Sequence, residues 1–280
     1  MSASRLLDSV MAPERVHRHR LATGLTVLVA PDDRVPVVAI VTWVKAGYFD
    51  EPDDVVGVSH VLEHMYFKGT PSRGVGVIAK ETKAQGGYLN AGTIYDHTSY
   101  YVVLPASGFV AGLEIQADAY ANSVIDAGEL SREIGVIVEE AKRKADSARA
   151  VASETLFELL HDHHRMRRWR IGREPGLRAL AREDVHDFYR AYYQPGNTVL
   201  AIAGDVDVDD ALRHAERLYG ALPNKPVVRN RGPFEPSRRD FRVREWSGDI
   251  AQAEVAIGWR TPPLVSPDAT RLDVIASALS

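Results

Sequence analysis

The sequence predicts an α+β fold: a mostly antiparallel β-sheet covered by helices. Three observations lead there. Runs rich in β-branched residues are interleaved with amphipathic helical runs along the 280 residues. Two pairs of strand-like runs are each joined by a short turn-like segment, at residues 22–24 and 94–97, which is a hairpin signal. Apolar residues make up 45% of the chain, enough for an ordinary core.

The elements follow in order. Residues 16–21 and 25–30 flank Ala22, Thr23 and Gly24 as a hairpin, and residues 37–45 form a third strand, β-branched and buried. A helix over 55–68 is framed by Asp53 and Asp54 as N-cap residues and by Gly69 and Pro71 at its end. Its apolar positions Val55, Val58, Leu62 and Met65 recur at helical spacing. A second helix over 76–85 stops at Gly86 and Gly87, before strands over 88–93 and 98–104. An amphipathic helix spans 107–122. A long helix then starts near Glu129, with Asp126 and Glu129 as a capping box, and continues past Leu156 with a break. A helix over 182–193 ends at Pro195 and Gly196, followed by a strand over 198–203 and a helix over 209–219.

Residues 222–237, rich in Pro, Arg and Asn, read as an interdomain linker. Strands are expected again at 241–246 and 253–259, and residues 255–259 echo 38–43. An amphipathic helix over 271–280 stops without a cap. The expected organisation is a first domain over 1–221, a linker over 222–239, and the beginning of a similar second domain over 240–280. On that reading the chain is a fragment or natively short.

The chemistry concentrates in the helix over 55–68. His60, Glu63 and His64 form H-x-x-E-H. Residues three and four apart share a helical face, so two imidazoles and a carboxylate point the same way. Two histidines can hold zinc while the glutamate serves as a base toward bound water, and this order is the inverted counterpart of H-E-x-x-H. A catalytic zinc also needs a third protein ligand. The helix that starts near Glu129 offers Glu133 and Glu140 on one face, with Glu139 about 100° away. From spacing alone, any of these carboxylates could complete the site.

Several segments, in order, resemble the M16 family of zinc metallopeptidases, the pitrilysin and mitochondrial processing peptidase group. They are His60 to Thr70, Gly86 to Tyr101, Glu133 to Glu140, and Phe188 to Asp205. The resemblance implies zinc, one ion per chain, on His60, His64 and Glu140. The family spacing of 76 positions after the second histidine selects Glu140 over Glu139. It implies Glu63 as the catalytic base, Glu133 as a supporting carboxylate, and Asn90 and Ala91 beside a bound peptide backbone. The implied function is hydrolysis of peptide bonds in extended peptides through a metal-activated water. It also implies a second M16-like domain or subunit that closes over the substrate.

Composition narrows the alternatives. There is no cysteine, which excludes disulfides, cysteine zinc ligands and thiol catalysis. The formal charge is −4 and no nucleic-acid motif occurs, so a dedicated nucleic-acid role is not expected. His161, His163 and His164 beside Arg165, Arg167, Arg168 and Arg170 read as a solvated helix end, not a second metal site. Residues 1–10 lack the apolar core of a secretory signal, and no run is long enough to span a membrane. The simplest expectation is a cytoplasmic protein, or a periplasmic one if an upstream signal has been trimmed. Two competing readings are a non-catalytic or partner-dependent M16-like subunit that binds peptides within a heteromer, and a metal enzyme acting on small molecules.

Overall fold

A computed structural model describes residues 16–238 and 240–279, so the reading of residues 1–10 lies outside the described residues. One six-stranded sheet organises the molecule. Its strands are β1 (His17–Arg20), β2 (Thr26–Pro31), β3 (Val37–Val44), β4 (Tyr88–Thr93), β5 (Thr98–Pro105) and β6 (Thr198–Gly204), in the order β1-β2-β6-β3-β5-β4. All neighbours are antiparallel except β2 and β6. The sheet is therefore mostly antiparallel, as its hairpin signals indicate.

Each central strand buries alternate residues. Val27 and Val29, Val38 and Ile40, Tyr100 and Val102, and Leu200 and Ile202 all face one core. A period of two places those side chains on a single face of the sheet. Helices pack over that face or onto one another: α1 (Val58–Tyr66), α2 (Val77–Ala84), α3 (Phe109–Asn122), α4 (Ala127–Ala145), α5 (Ala148–Leu160), α6 (Glu174–Ala179), α7 (Arg182–Tyr192) and α8 (Val208–Tyr219). Helix α3 lies on β3 and β5, and α8 lies on β2. Helix α1 is held between α4 and α7 and touches β4. No helix among the described residues is long and apolar enough to cross a membrane.

Two local expectations need correction, and a third is made specific. Helix α1 is not capped by Asp53 or Asp54. Its N-cap is Gly57, at φ 97°, and the orphan amides of Gly57 and Ser59 donate to the buried Glu51 carboxylate at 3.0 Å each. A β-carbon on Gly57 would lie 2.9 Å from the Ile171 carbonyl oxygen, so both backbone angle and space require glycine. The break expected in the long helix falls at Asp146 and Ser147, where the Ser147 hydroxyl accepts from the Ala150 amide and starts α5. Residues 241–246 and 253–259 are not strands. They lie beside α5 with Phe241, Val255 and Trp259 exposed. Their β-branched composition is real, but a strand needs a partner for its backbone groups, and the described residues supply none. Helix α9 (Ala269–Leu279) does form, with no buried residue.

Candidate metal centre and edge strand

Helices α1 and α4 bring the predicted ligands together. Among the described residues, His60, His64 and Glu140 form one group whose ligand atoms all lie within 4.8 Å of one another. The Glu140 Oε2 atom is 3.9 Å from His60 Nε2 and 3.7 Å from His64 Nε2. Tetrahedral zinc with bonds near 2.1 Å separates its ligands by roughly 3.4 Å, so the two pairs with Glu140 need to contract by a few tenths of an ångström to close on an ion, and the widest separation in the group, up to 4.8 Å, needs a larger side-chain adjustment. Glu139 points elsewhere: it is exposed and pairs with Lys142 at 2.8 Å. Two imidazoles and a carboxylate make a donor set whose chemistry fits zinc.

The surroundings tune these groups. His60 is buried, and burial, followed by the neighbouring His64, pushes its imidazole down to about 3. It is thus neutral at ordinary pH, the form that binds a metal. His64 Nδ1 lies 3.1 Å from Glu133 Oε2. A carboxylate there fixes the proton on Nδ1 and leaves the Nε2 lone pair aimed at Glu140. The Lys68 ammonium donates to the other Glu133 oxygen. Burial would raise Glu133, but its bonds to Lys68 and His64 outweigh that effect and hold it below the usual carboxylate range.

Glu63 occupies the same helix face, toward β4. Its carboxyl is raised above the ordinary value, first by burial and further by Glu140. The Thr93 hydroxyl and His64 oppose that rise. Thr93 donates to Glu63 Oε2 at 2.6 Å. A raised carboxyl beside a metal centre suits an exchanger of protons.

Asn90 and Ala91 lie on β4, the outer strand of the sheet, next to α1. The Asn90 side chain is exposed, and its Oδ1 accepts the Ala91 amide at 2.8 Å. His97 is stacked on Trp43 at 3.5 Å and bonds to Asp96. The 161–164 histidines form no metal group among the described residues, and the amides of Asp162, His163 and His164 instead donate to the Glu235 carboxylate.

Sequence reasoning missed three contributors: Lys68, Thr93 and Glu51. Lys68 sits one turn beyond His64, so its reach toward the same face was available in the spacing. Thr93 and Glu51 meet α1 only through tertiary packing.

Comparison with known proteins gives consistent likenesses. Residues 26–170 match the family described as insulinase (peptidase family M16), and residues 179–280 match the peptidase M16 inactive domain. An uncharacterized zinc protease of Mycobacterium tuberculosis is 30% identical over 91% of this chain and 58% of its own length. The human mitochondrial-processing peptidase subunit beta is 28% identical over 88% of this chain and 51% of its own. A crystal structure of a protease from Helicobacter pylori superposes with a TM-score of 0.75 at 25% identity, covering 79% of this chain and 54% of that one. The chain thus spans about half to three fifths of the length of such relatives.

Proposed function

The chain belongs to peptidase family M16, and from that premise we propose that it is the zinc-binding portion of a metallopeptidase that cleaves extended peptides. The observation that carries the reading is the convergence of His60, His64 and Glu140 with Glu63 on the same face of α1. His60, His64 and Glu140 hold the ion, and Glu133 orients His64. Zinc, when bound, supplies Lewis acidity toward water and the scissile carbonyl. Glu63 takes a proton from the attacking water and passes it to the leaving amine. Strand β4 offers a free edge to an extended peptide, with Asn90 and Ala91 along it. A substrate must pair along that edge and also lay its backbone beside the metal centre, which an extended, flexible segment does most readily, so flexible peptides are the substrate class.

We further propose that residues 1–221 form the zinc domain, 222–239 a linker, and 240–280 the beginning of a second similar domain. Exposed Phe241, Trp246, Val255 and Trp259 support that division, because such a surface is ordinarily covered. A second domain or subunit would complete substrate capture.

Metal content and cleavage of a quenched fluorescent peptide, with and without chelator, test the reading. We expect one zinc per wild-type chain, and a Glu63→Gln variant that keeps zinc and cleaves nothing. Folded wild-type protein that takes up no zinc would refute it and favour a peptide-binding subunit.

A further inference from the structure

Thr93 is the last residue of β4, and its side chain reaches from the sheet edge to α1. Its hydroxyl carries a single hydrogen and faces two acceptors, Glu63 Oε2 at 2.6 Å and Thr98 Oγ1 at 3.4 Å. The Thr98 hydroxyl spends its own hydrogen on the Ala46 carbonyl at 2.9 Å. The proton of Thr93 is therefore committed to Glu63, since one hydroxyl donates once. Leu89, Ala91 and Thr93 alternate on the face of β4 that meets α1, and Leu89 and Ala91 pack against the core.

The position of this clamp matters. Among the described residues strand β4 has a paired neighbour on one side only, β5, and Thr93 opposes Thr98 in the final register pair. Beyond Thr93 the chain enters the β4–β5 turn, where the Ile94 amide donates to the His97 carbonyl at 2.9 Å and the Ile94 carbonyl accepts from the Tyr48 amide at 3.0 Å, so the side of β4 away from β5 is the part left to a partner. Thr93 is also the contact through which the strand touches the carboxylate of the proposed base. Anything that pairs with the free side of β4 fixes the backbone of Thr93, and with it the hydroxyl that holds Glu63.

We infer that Thr93 is a positioning residue that ties the placement of Glu63 to the pairing of β4, so that an extended peptide on the edge orders the base that is to act on it. The inference rests on the peptidase reading for its catalytic consequence, but the clamp itself is measurable without turnover.

The test compares wild type, Thr93→Val and Thr93→Ser. Protein carrying carbon-13 in its glutamate side chains is first observed by NMR in chelator, with an extended, unstructured peptide added. The Glu63 carboxyl resonance should shift on peptide addition in wild type and Thr93→Ser and lose that shift in Thr93→Val. Amide resonances of β5 serve as the check that each variant is folded. With zinc restored, Thr93→Val should lose about 100-fold in kcat with KM within about twofold, and Thr93→Ser should recover most of the loss. A Glu63 shift that persists in Thr93→Val, or no shift in wild type, overturns the coupling. A rise in KM with unchanged kcat also overturns it, because Thr93 would then serve only the strand. A wild-type chain that binds zinc yet cleaves nothing sinks the peptidase reading for this chain, while the chelator experiment still decides the clamp.

Discussion

Raising the pH from about 5 to about 8 should weaken wild-type protein relative to a Glu51→Gln variant. The Glu51 carboxyl is 1% exposed, at the head of the helix that carries the histidines. Burial pushes it up from 4.5 to about 7, although the Ser59 hydroxyl and the amides of Gly57 and Ser59 all favour the charged form. A raised acid stabilises the fold fully below its unfolded value, where both states hold the proton. Between 4.5 and about 7 the unfolded chain ionises while the folded one does not, and stability falls. Above about 7 the loss is complete. At 1.36 kcal/mol per pH unit, the separation corresponds to about 3 kcal/mol. Glutamine at 51 does not titrate, and its own cost, an imperfectly met hydrogen bond, is the same at every pH. Urea unfolding of both proteins at several pH values, in chelator, isolates the effect, because all other titrations cancel in the difference. With a urea dependence of about 3 kcal/mol per molar, the wild-type midpoint should drop by about 1 M relative to the variant. A difference that stays flat, or grows in favour of wild type as pH rises, refutes the claim that burial outweighs the three hydrogen bonds.

Other outcomes follow from the same geometry. Glu140→Gln should lose zinc while Glu139→Gln keeps it, as elemental analysis of the purified chains would show. Glu133→Gln should weaken zinc affinity by about 10- to 100-fold, measured by competition with a chelator, because His64 loses its anionic partner. Arg229→Met should destabilise the fold by about 2–3 kcal/mol in chemical unfolding, since Arg229 pairs with the buried Asp50 through two bonds of 3.0 and 2.7 Å. Gly47→Ala should cost about 1–3 kcal/mol by the same assay, because a β-carbon there would lie 2.2 Å from the Ile94 carbonyl oxygen, where the β4–β5 turn docks.

What was legible in the sequence was local. The H-x-x-E-H spacing reported a helix face, and the alternation along β3 and β5 reported one buried side of a sheet. The Ser147 break could be anticipated because serine caps through its own neighbours. Glu51 could not, because it reaches α1 from outside the helix and displaces Asp53 and Asp54 from a role that local rules assign to them. The bonds from Glu133 to His64 and from Thr93 to Glu63 span 69 and 30 positions of chain, and no periodicity encodes them. Residues 241–246 show the converse. Their composition suits a strand, yet pairing is a property of two segments, and only one is present among the described residues.

The place of β6 also bears on how the chain comes to be folded. This strand lies between β2 and β3, and most of the domain separates it from both in sequence. During synthesis, β1 with β2 and β3 with β5 and β4 can pair as two separate ribbons, each with an open inner edge. Apart from the connecting residues 32–36, no strand pairing joins them until the ribosome has passed Gly204. Contacts of such long sequence separation slow folding, and open edges of this kind invite pairing with other nascent chains. A stalled or shortened message ending before Thr198 would therefore release a protein that contains every proposed zinc ligand but lacks the strand that joins its two halves.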